Sequence, residues 1–239
     1  RTQVKKIVEN LAEKKHATYN QNAGPVSSYN YSGFSNQVIA VSPMSTFLQI
    51  SQGTAQNQRI GNKIRTSKCT FKGIMWPTVY NATTNPFPAP QNVRFVLFSV
   101  KGDTTAFPSS LADFFQNGAS SHDPNGDLGD MIDTVNSDLY TVYKDFQVKL
   151  GYQQFDTTPG GGGNAGFFAN NDFHLNQKIE IDCSKACPAV VQYNDNSSAP
   201  TSRAVFLAWF AAAANGSTGS SVSMPANMNY SIDYTYTDD

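Results

Sequence analysis

Five basic residues, Arg59, Lys63, Arg65, Lys68 and Lys72, fall within a stretch of fourteen that contains no Asp or Glu, in a chain of formal net charge -1. Concentrated positive charge of this kind attracts phosphates, because Lys and Arg displace condensed counterions, and it does so without reading base sequence. The spacing also sets a geometric condition. Side chains alternate across a strand, so Lys63 and Arg65 share one face and Lys68 and Lys72 the other. Only a bulge near Ser67 would bring all of them onto one surface. Lys5 and Lys6 add two more cations near the N-terminus. The competing expectation is a solvated strand face whose cations pair with carboxylates such as Glu180 and Asp182.

Other chemistry fails on spacing. His16, His122 and His174 are the only histidines; none stands in an H-E-x-x-H or H-x-E pattern, and no G-x-S-x-G offers a nucleophile elbow, so no catalytic residue is expected. Gly160 to Gly163 follows Pro159 and lacks the Lys-Ser/Thr of a phosphate-binding loop. Asp123, Asn125 and Asp127 imitate the opening of a calcium loop, but Leu128 stands where the turn glycine belongs and Thr134 where the bidentate Glu belongs. Asp130, Asp133 and Asp138 leave room for a divalent cation at a subunit contact, with solvated loop carboxylates as the default. Cys69, Cys183 and Cys187 are too few and too uneven for a disulfide framework, and the C-x-x-x-C has no second half, so buried or free thiols are expected rather than zinc. Neither a metal nor a cofactor is expected.

The elements that must position these residues read as strands. Val4, Ile7, Val8 and Leu11 recur at helical spacing with charges between them, which predicts a short amphipathic helix over 2–15. Strands are predicted near 36–42, 46–51, 63–80, 92–101, 139–151, 172–183, 187–194, 203–214 and 227–237. Met228, Tyr230, Ile232, Tyr234 and Tyr236 alternate with polar residues, as a half-buried antiparallel strand requires. Val205 to Phe210 is apolar on both faces and calls for cover on both sides. Between the strands lie long polar connections, among them Asn81–Gln91, Thr104–Asp138, Asp156–Asn171 and Asn194–Ser202, with one helical turn expected at Leu111–Phe115. The fold class is all-β: a jelly-roll β-sandwich of two four-stranded antiparallel sheets, with a helix and arm over 1–35 and the shell domain over 36–239.

Composition narrows the function classes. The chain of 239 residues is 39% hydrophobic but only 15% charged, well below the roughly 25% usual for soluble domains, so its surface is rich in neutral polar groups. The longest apolar stretch, Ala204 to Ala214, falls short of the roughly 18 residues of a membrane span, and no membrane partner is expected. Arg1 is expected to be an internal start, with no signal peptide. Asn-X-Ser/Thr triplets begin at Asn30, Asn81, Asn196, Asn215 and Asn229, no more than chance gives with 22 Asn and 42 Ser plus Thr.

The segment Gln52 to Ile64, QGTAQNQRIGNKI, runs into RTSKCTFKGIMW and resembles the motif near the start of the jelly roll in capsid proteins of small circular single-stranded DNA viruses that encode a replication initiator. The later order NVRFVLFSVKGD, LYTVYKDFQVKL, NDFHLNQKIEID and a terminal aromatic strand is similar too. The resemblance covers residues from about 36 onward. It implies a non-enzymatic protein of the virion that assembles with copies of itself into an icosahedral shell, packages single-stranded DNA, and passes through the host nucleus during assembly. Arg59, Lys63, Arg65, Lys68, Lys72, Lys5 and Lys6 are its expected nucleic-acid contacts. The host receptor is open. The Arg-rich arm typical of that family does not appear in this sequence, and coats of small plus-strand RNA viruses look similar. A secreted carbohydrate-binding sandwich and a cupin-like or hydrolytic β-sandwich are the readings from other classes.

Overall fold

The computed structural model describes residues 13–26, 49–79, 89–102, 113–118, 120–122, 124, 127–154, 166–168, 172–201, 205–214 and 226–238. The chain is all-β and its sheets are antiparallel. The larger sheet has the order β1-β13-β2-β10, built from β1 (Lys15–Val26), β13 (Ala226–Asp238), β2 (Lys63–Pro77) and β10 (Gln177–Asp182). A short strand, β11 (Val190–Gln192), pairs with the beginning of β2 on the edge that β10 occupies further along. The second sheet has the order β12-β3-β7, from β12 (Phe206–Ala213), β3 (Gln91–Val100) and β7 (Tyr140–Leu150).

The two sheets meet through their aromatic residues. Trp209 of β12 lies 6.2 Å from Phe71 of β2 and 5.7 Å from Tyr230 of β13, and Phe71 stacks on Tyr230 at 5.3 Å, centroid to centroid. Phe71, Met75, Phe95, Leu207, Met228 and Ile232 are fully buried around them. Each such side chain contributes about 1.5–3 kcal/mol relative to exposure. The alternation predicted for the last strand holds: Met228, Tyr230, Ile232, Tyr234 and Tyr236 are buried while the residues between them are at least partly exposed.

Both faces of β12 are covered, as its two-sided apolar sequence requires. One face meets the larger sheet. The other meets a layer made from the connection between β3 and β7, which the sequence reads as a long polar loop. That connection contains β4 (Phe115–Asn117), β5 (Ser120–His122), a 3-10 turn at Gly129–Met131 and β6 (Thr134–Val135), with β4 between β5 and β6. Phe115 packs on Phe210 at 5.8 Å and Phe114 on Phe98 at 5.2 Å. The helical turn expected at Leu111–Phe115 is therefore not formed at its described end: Phe115 opens a strand, because its ring is drawn onto β12.

Further expectations are corrected. The helix predicted over 2–15 falls outside the described residues up to 12; Glu13 and Lys14 are not helical, and Lys15 begins β1. Strand β1 is an edge strand that pairs with β13 and carries a register shift between Gln21 and Gly24. Pro25 is tolerated there because an edge strand leaves one row of N–H groups unused by the ladder. Residues 15–26, assigned from sequence to an N-terminal arm, thus belong to the sheet. The strand predicted at 36–42 lies outside the described residues, as does 46–48, and residues 49–51 are not in a strand. The stretch 172–176 holds only a single bridge, His174 to Leu150, before β10 begins. Strands β8 (Tyr152–Gln154) and β9 (Gly166–Phe168) form a small hairpin within the expected 156–171 connection and its flank. Instead of two sheets of four strands, the described residues form one sheet of five strands, two of three and one of two.

Candidate nucleic-acid interface

The exposed face of the larger sheet is set by one irregularity in β2. Thr235 of β13 pairs with Lys68, but Tyr236 pairs with Thr66, so Ser67 is an extra residue on β2. A bulge of this kind moves every later side chain to the opposite face relative to simple alternation. Before it, Ile64 is buried and Lys63 and Arg65 point outward; after it, Cys69, Phe71, Gly73 and Met75 are buried and Lys68 and Lys72 point outward. The four cations therefore lie along one surface of a central strand. Ser67 Oγ donates to the carbonyl of Thr235 at 3.0 Å and holds the bulge in place.

The same face carries acids from the neighbouring strands. Asp182 pairs with Thr70 and Glu180 with Lys72 across β10, and Asp233 pairs with Thr70 across β13. Lys72 Nζ donates to Asp233 Oδ2 at 2.9 Å, with side chains 49% and 39% exposed, and this hydrogen bond raises the lysine's pKa. Such exposed pairs are worth about 0–1 kcal/mol, so a solvated ion pair forms without holding the lysine firmly, and its partner is Asp233 rather than the expected Glu180 or Asp182. Asp182 is held below the usual carboxylate range, first by the Ser184 hydroxyl and peptide N–H and then by Lys68 and Lys185. Lys178, opposite Ile74, is a further cation on this face that the sequence window excluded. The outward side chains of β2 and β10 in these rows comprise five cations against two carboxylates, with Asp233 the third carboxylate from β13.

Arg59 does not belong to this face. It is fully buried, and its guanidinium reaches five acceptors. Nε donates to the Ile50 carbonyl at 3.3 Å, Nη1 to the Gly61 carbonyl and to Asn62 Oδ1 at 3.2 Å, and Nη2 to the carbonyls of Asn194 at 3.0 Å and Ser197 at 2.5 Å. Its charged carbon lies 4.4 Å over the Tyr193 ring. A phosphate has no access to it, so the expected contact is withdrawn. Lys5 and Lys6 lie outside the described residues.

The segment Gln52–Ile64 runs along the surface, with only Arg59 and Ile64 buried, and is fastened as a clasp by hydrogen bonds. Arg59 N–H donates to the Ser51 carbonyl, Gly53 N–H to the Arg59 carbonyl, and Gln52 Nε2 to the Ile60 carbonyl. Gln58 folds its carboxamide over Gly53, where a Cβ would meet its Oε1 at 2.0 Å. Lys15 Nζ donates to the Gln58 carbonyl at 3.0 Å and pairs with Asp238 at 2.7 Å, while Ile60 N–H donates to Asp238 Oδ1. One short segment thus ties the start of β1 to the end of β13 and to the turn around Asn194–Ser197.

Outside this face the described residues hold three buried cysteines and one group of metal-ligating atoms. All three cysteines are buried and meet, with the Cys69 thiol hydrogen-bonded to Cys183 and Cys187; those bonds and burial push its pKa far up. The Cys69 thiol is therefore protonated and inert. In the layer over β12, His122, Asp130 and Asp133 bring their ligand atoms within 4.8 Å of one another, and His122 Nε2 lies 3.0 Å from Asp133 Oδ2. Asp138, expected from sequence to join Asp130 and Asp133, is exposed and outside this group, and His122 takes its place. Beside them Arg94 forms a two-pronged bond to Asp145 and donates to the Asp130 and Asp133 carbonyls, which pins the covering layer to β3.

No protein-family model matches the chain, and no curated protein matches it.

Proposed function

We propose that this chain is the shell-forming coat protein of a small icosahedral virus, folded as a jelly roll, that packages single-stranded DNA and performs no catalysis. The observation that carries the reading is the Ser67 bulge, which lines up Lys63, Arg65, Lys68 and Lys72 on one face of a sheet whose strand order suits a jelly roll. Among the described long strands, β1, β2, β10 and β13 share one sheet and β3, β7 and β12 the other, so the chain crosses between the sheets repeatedly, as the two packed sheets of a jelly roll require. The aligned cations supply sequence-tolerant phosphate contacts, and the rich supply of neutral polar residues suits a surface used in repeated subunit contacts. Closed rotational symmetry would then complete the shell from copies of this chain. The family resemblance of Gln52–Ile64 points to single-stranded DNA as the cargo and to the virion and the host nucleus as its locations.

Negative-stain microscopy and size-exclusion of the purified protein test assembly: closed particles are expected, and a monomer under all assembly conditions would overturn the reading. The variant with Lys63, Arg65, Lys68 and Lys72 all replaced by Gln should still form particles but with a lower 260/280 nm absorbance ratio. An unchanged ratio would remove these residues from genome contact.

A further inference from the structure

The outward side chains of β2 do not end with the basic row. Beyond Lys72 they continue with Ile74, which is 53% exposed in the middle of a central strand, and with half-buried Trp76. An apolar residue left open between a lysine and a tryptophan on a sheet face is the arrangement by which single strands are held, bases on π and apolar surface and phosphates on cations. Resting on the nucleic-acid reading above, we propose that this end of the sheet is a stacking platform for single-stranded nucleic acid, with bases on Trp76 and Ile74 and flanking phosphates on Lys72 and Lys178.

Register supports the assignment. Ile74 lies between Lys178 on β10 and Asn229 on β13, and Lys72 lies next to Ser231, which pairs in turn with Asn20 of β1. Together these residues line a shallow depression of about 430 Å³, within the roughly 300–1,000 Å³ typical of small-ligand sites. Lys72 and Lys178 are diagonal neighbours across the β2/β10 ladder, a separation of roughly 7–8 Å that brackets the open Ile74. Around them Asn20, Asn229 and Ser231 offer neutral polar groups to base edges beside apolar Ile74, while Glu180, opposite Lys72, lies 3.9 Å from Lys178 Nζ. A row of carboxylates, Asp182 and Asp233 on either side of Thr70, separates this platform from Lys63, Arg65 and Lys68. The strand therefore touches the sheet in two places, basic at the Lys63 end and stacking at the Trp76 end.

Tryptophan emission reports on the platform, because the chain's other tryptophan, Trp209, is only 3% exposed in the core. Unassembled protein is titrated with an oligo(dT) of about 12 nucleotides, following emission and its quenching by iodide. DNA is expected to shield the accessible fraction saturably, and Trp76→Leu to weaken binding about tenfold with little change in the salt slope. Replacing Lys72 and Lys178 by Gln should lower the slope instead. If oligo(dT) binds and the quadruple Gln variant loses it, yet Trp76 emission is unmoved and Trp76→Leu binds as tightly as wild type, the platform is refuted while the nucleic-acid reading stands. Absence of any binding refutes both. Shielding of Trp76 that tracks protein concentration without DNA also overturns the platform, marking a contact between copies of the chain.

Discussion

Replacing Arg59 by Gln separates a structural clasp from a phosphate contact. The buried guanidinium donates to five acceptors, four of them backbone carbonyls of residues 50, 61, 194 and 197. Hydrogen bonds from a charged group contribute about 1.5–3 kcal/mol each, and an orphaned buried acceptor costs about 1–3 kcal/mol. The simple sum would exceed the stability of most domains, about 5–15 kcal/mol. The bonds act as a unit, however, and once the clasp opens water reaches the carbonyls. The expected loss is roughly 4–6 kcal/mol, in the range of the largest single substitutions. Arg59→Lys keeps the charge but offers three donors on a flexible stem in place of a planar fork, so about half that loss is expected. Urea denaturation of unassembled protein, followed by circular dichroism, measures it. With a slope of about 1–3 kcal/mol per molar urea, Arg59→Lys shifts the midpoint by about 1 M or more and Arg59→Gln by about 2 M or more. A Gln variant that loses less than about 1 kcal/mol while its oligonucleotide affinity falls would refute the reasoning and restore Arg59 to the phosphate-binding set.

Ile232 is fully buried between the sheets, so Ile232→Asp places an unpaired carboxylate in the core, costs several kcal/mol, and should abolish soluble protein; soluble, particle-forming variant would show the packing of β13 to be wrong. Tyr193, Tyr234 and Tyr236 all have pKa values raised chiefly by burial, that of Tyr236 to about 12. Groups whose folded pKa exceeds the unfolded value, about 10 for tyrosine, add stability that is complete below pH 10 and is lost as pH rises through about 12. Unfolding by alkali should therefore begin above pH 10 and coincide with late tyrosinate absorbance at 295 nm; full tyrosine titration near pH 10 with the fold intact would contradict this.

What the sequence determined by itself was local. The period-two alternation of Met228 to Tyr236 marked a half-buried strand, and the two-sided apolar run from Val205 to Phe210 demanded cover on both faces, because each pattern is read from residues adjacent along one strand. Even the need for a bulge near Ser67 could be stated from parity. Its existence was decided by β13, whose Tyr236 pairs with Thr66 after Thr235 pairs with Lys68. Strand β1 was missed because residues 15–26 lack a clear apolar alternation and include Gly24 and Pro25, which an edge position beside β13 makes acceptable. The covering layer of β4, β5 and β6 was missed because its strands are two or three residues long and gain their order from Phe210 and Phe98 beneath them. Arg59 carried the same charge in sequence as Lys63 and Arg65. Only the tertiary structure placed its guanidinium among carbonyls contributed by residues 50 to 61 and 194 to 197, since such an enclosure needs segments more than a hundred residues apart, and no local pattern encodes which of them will meet.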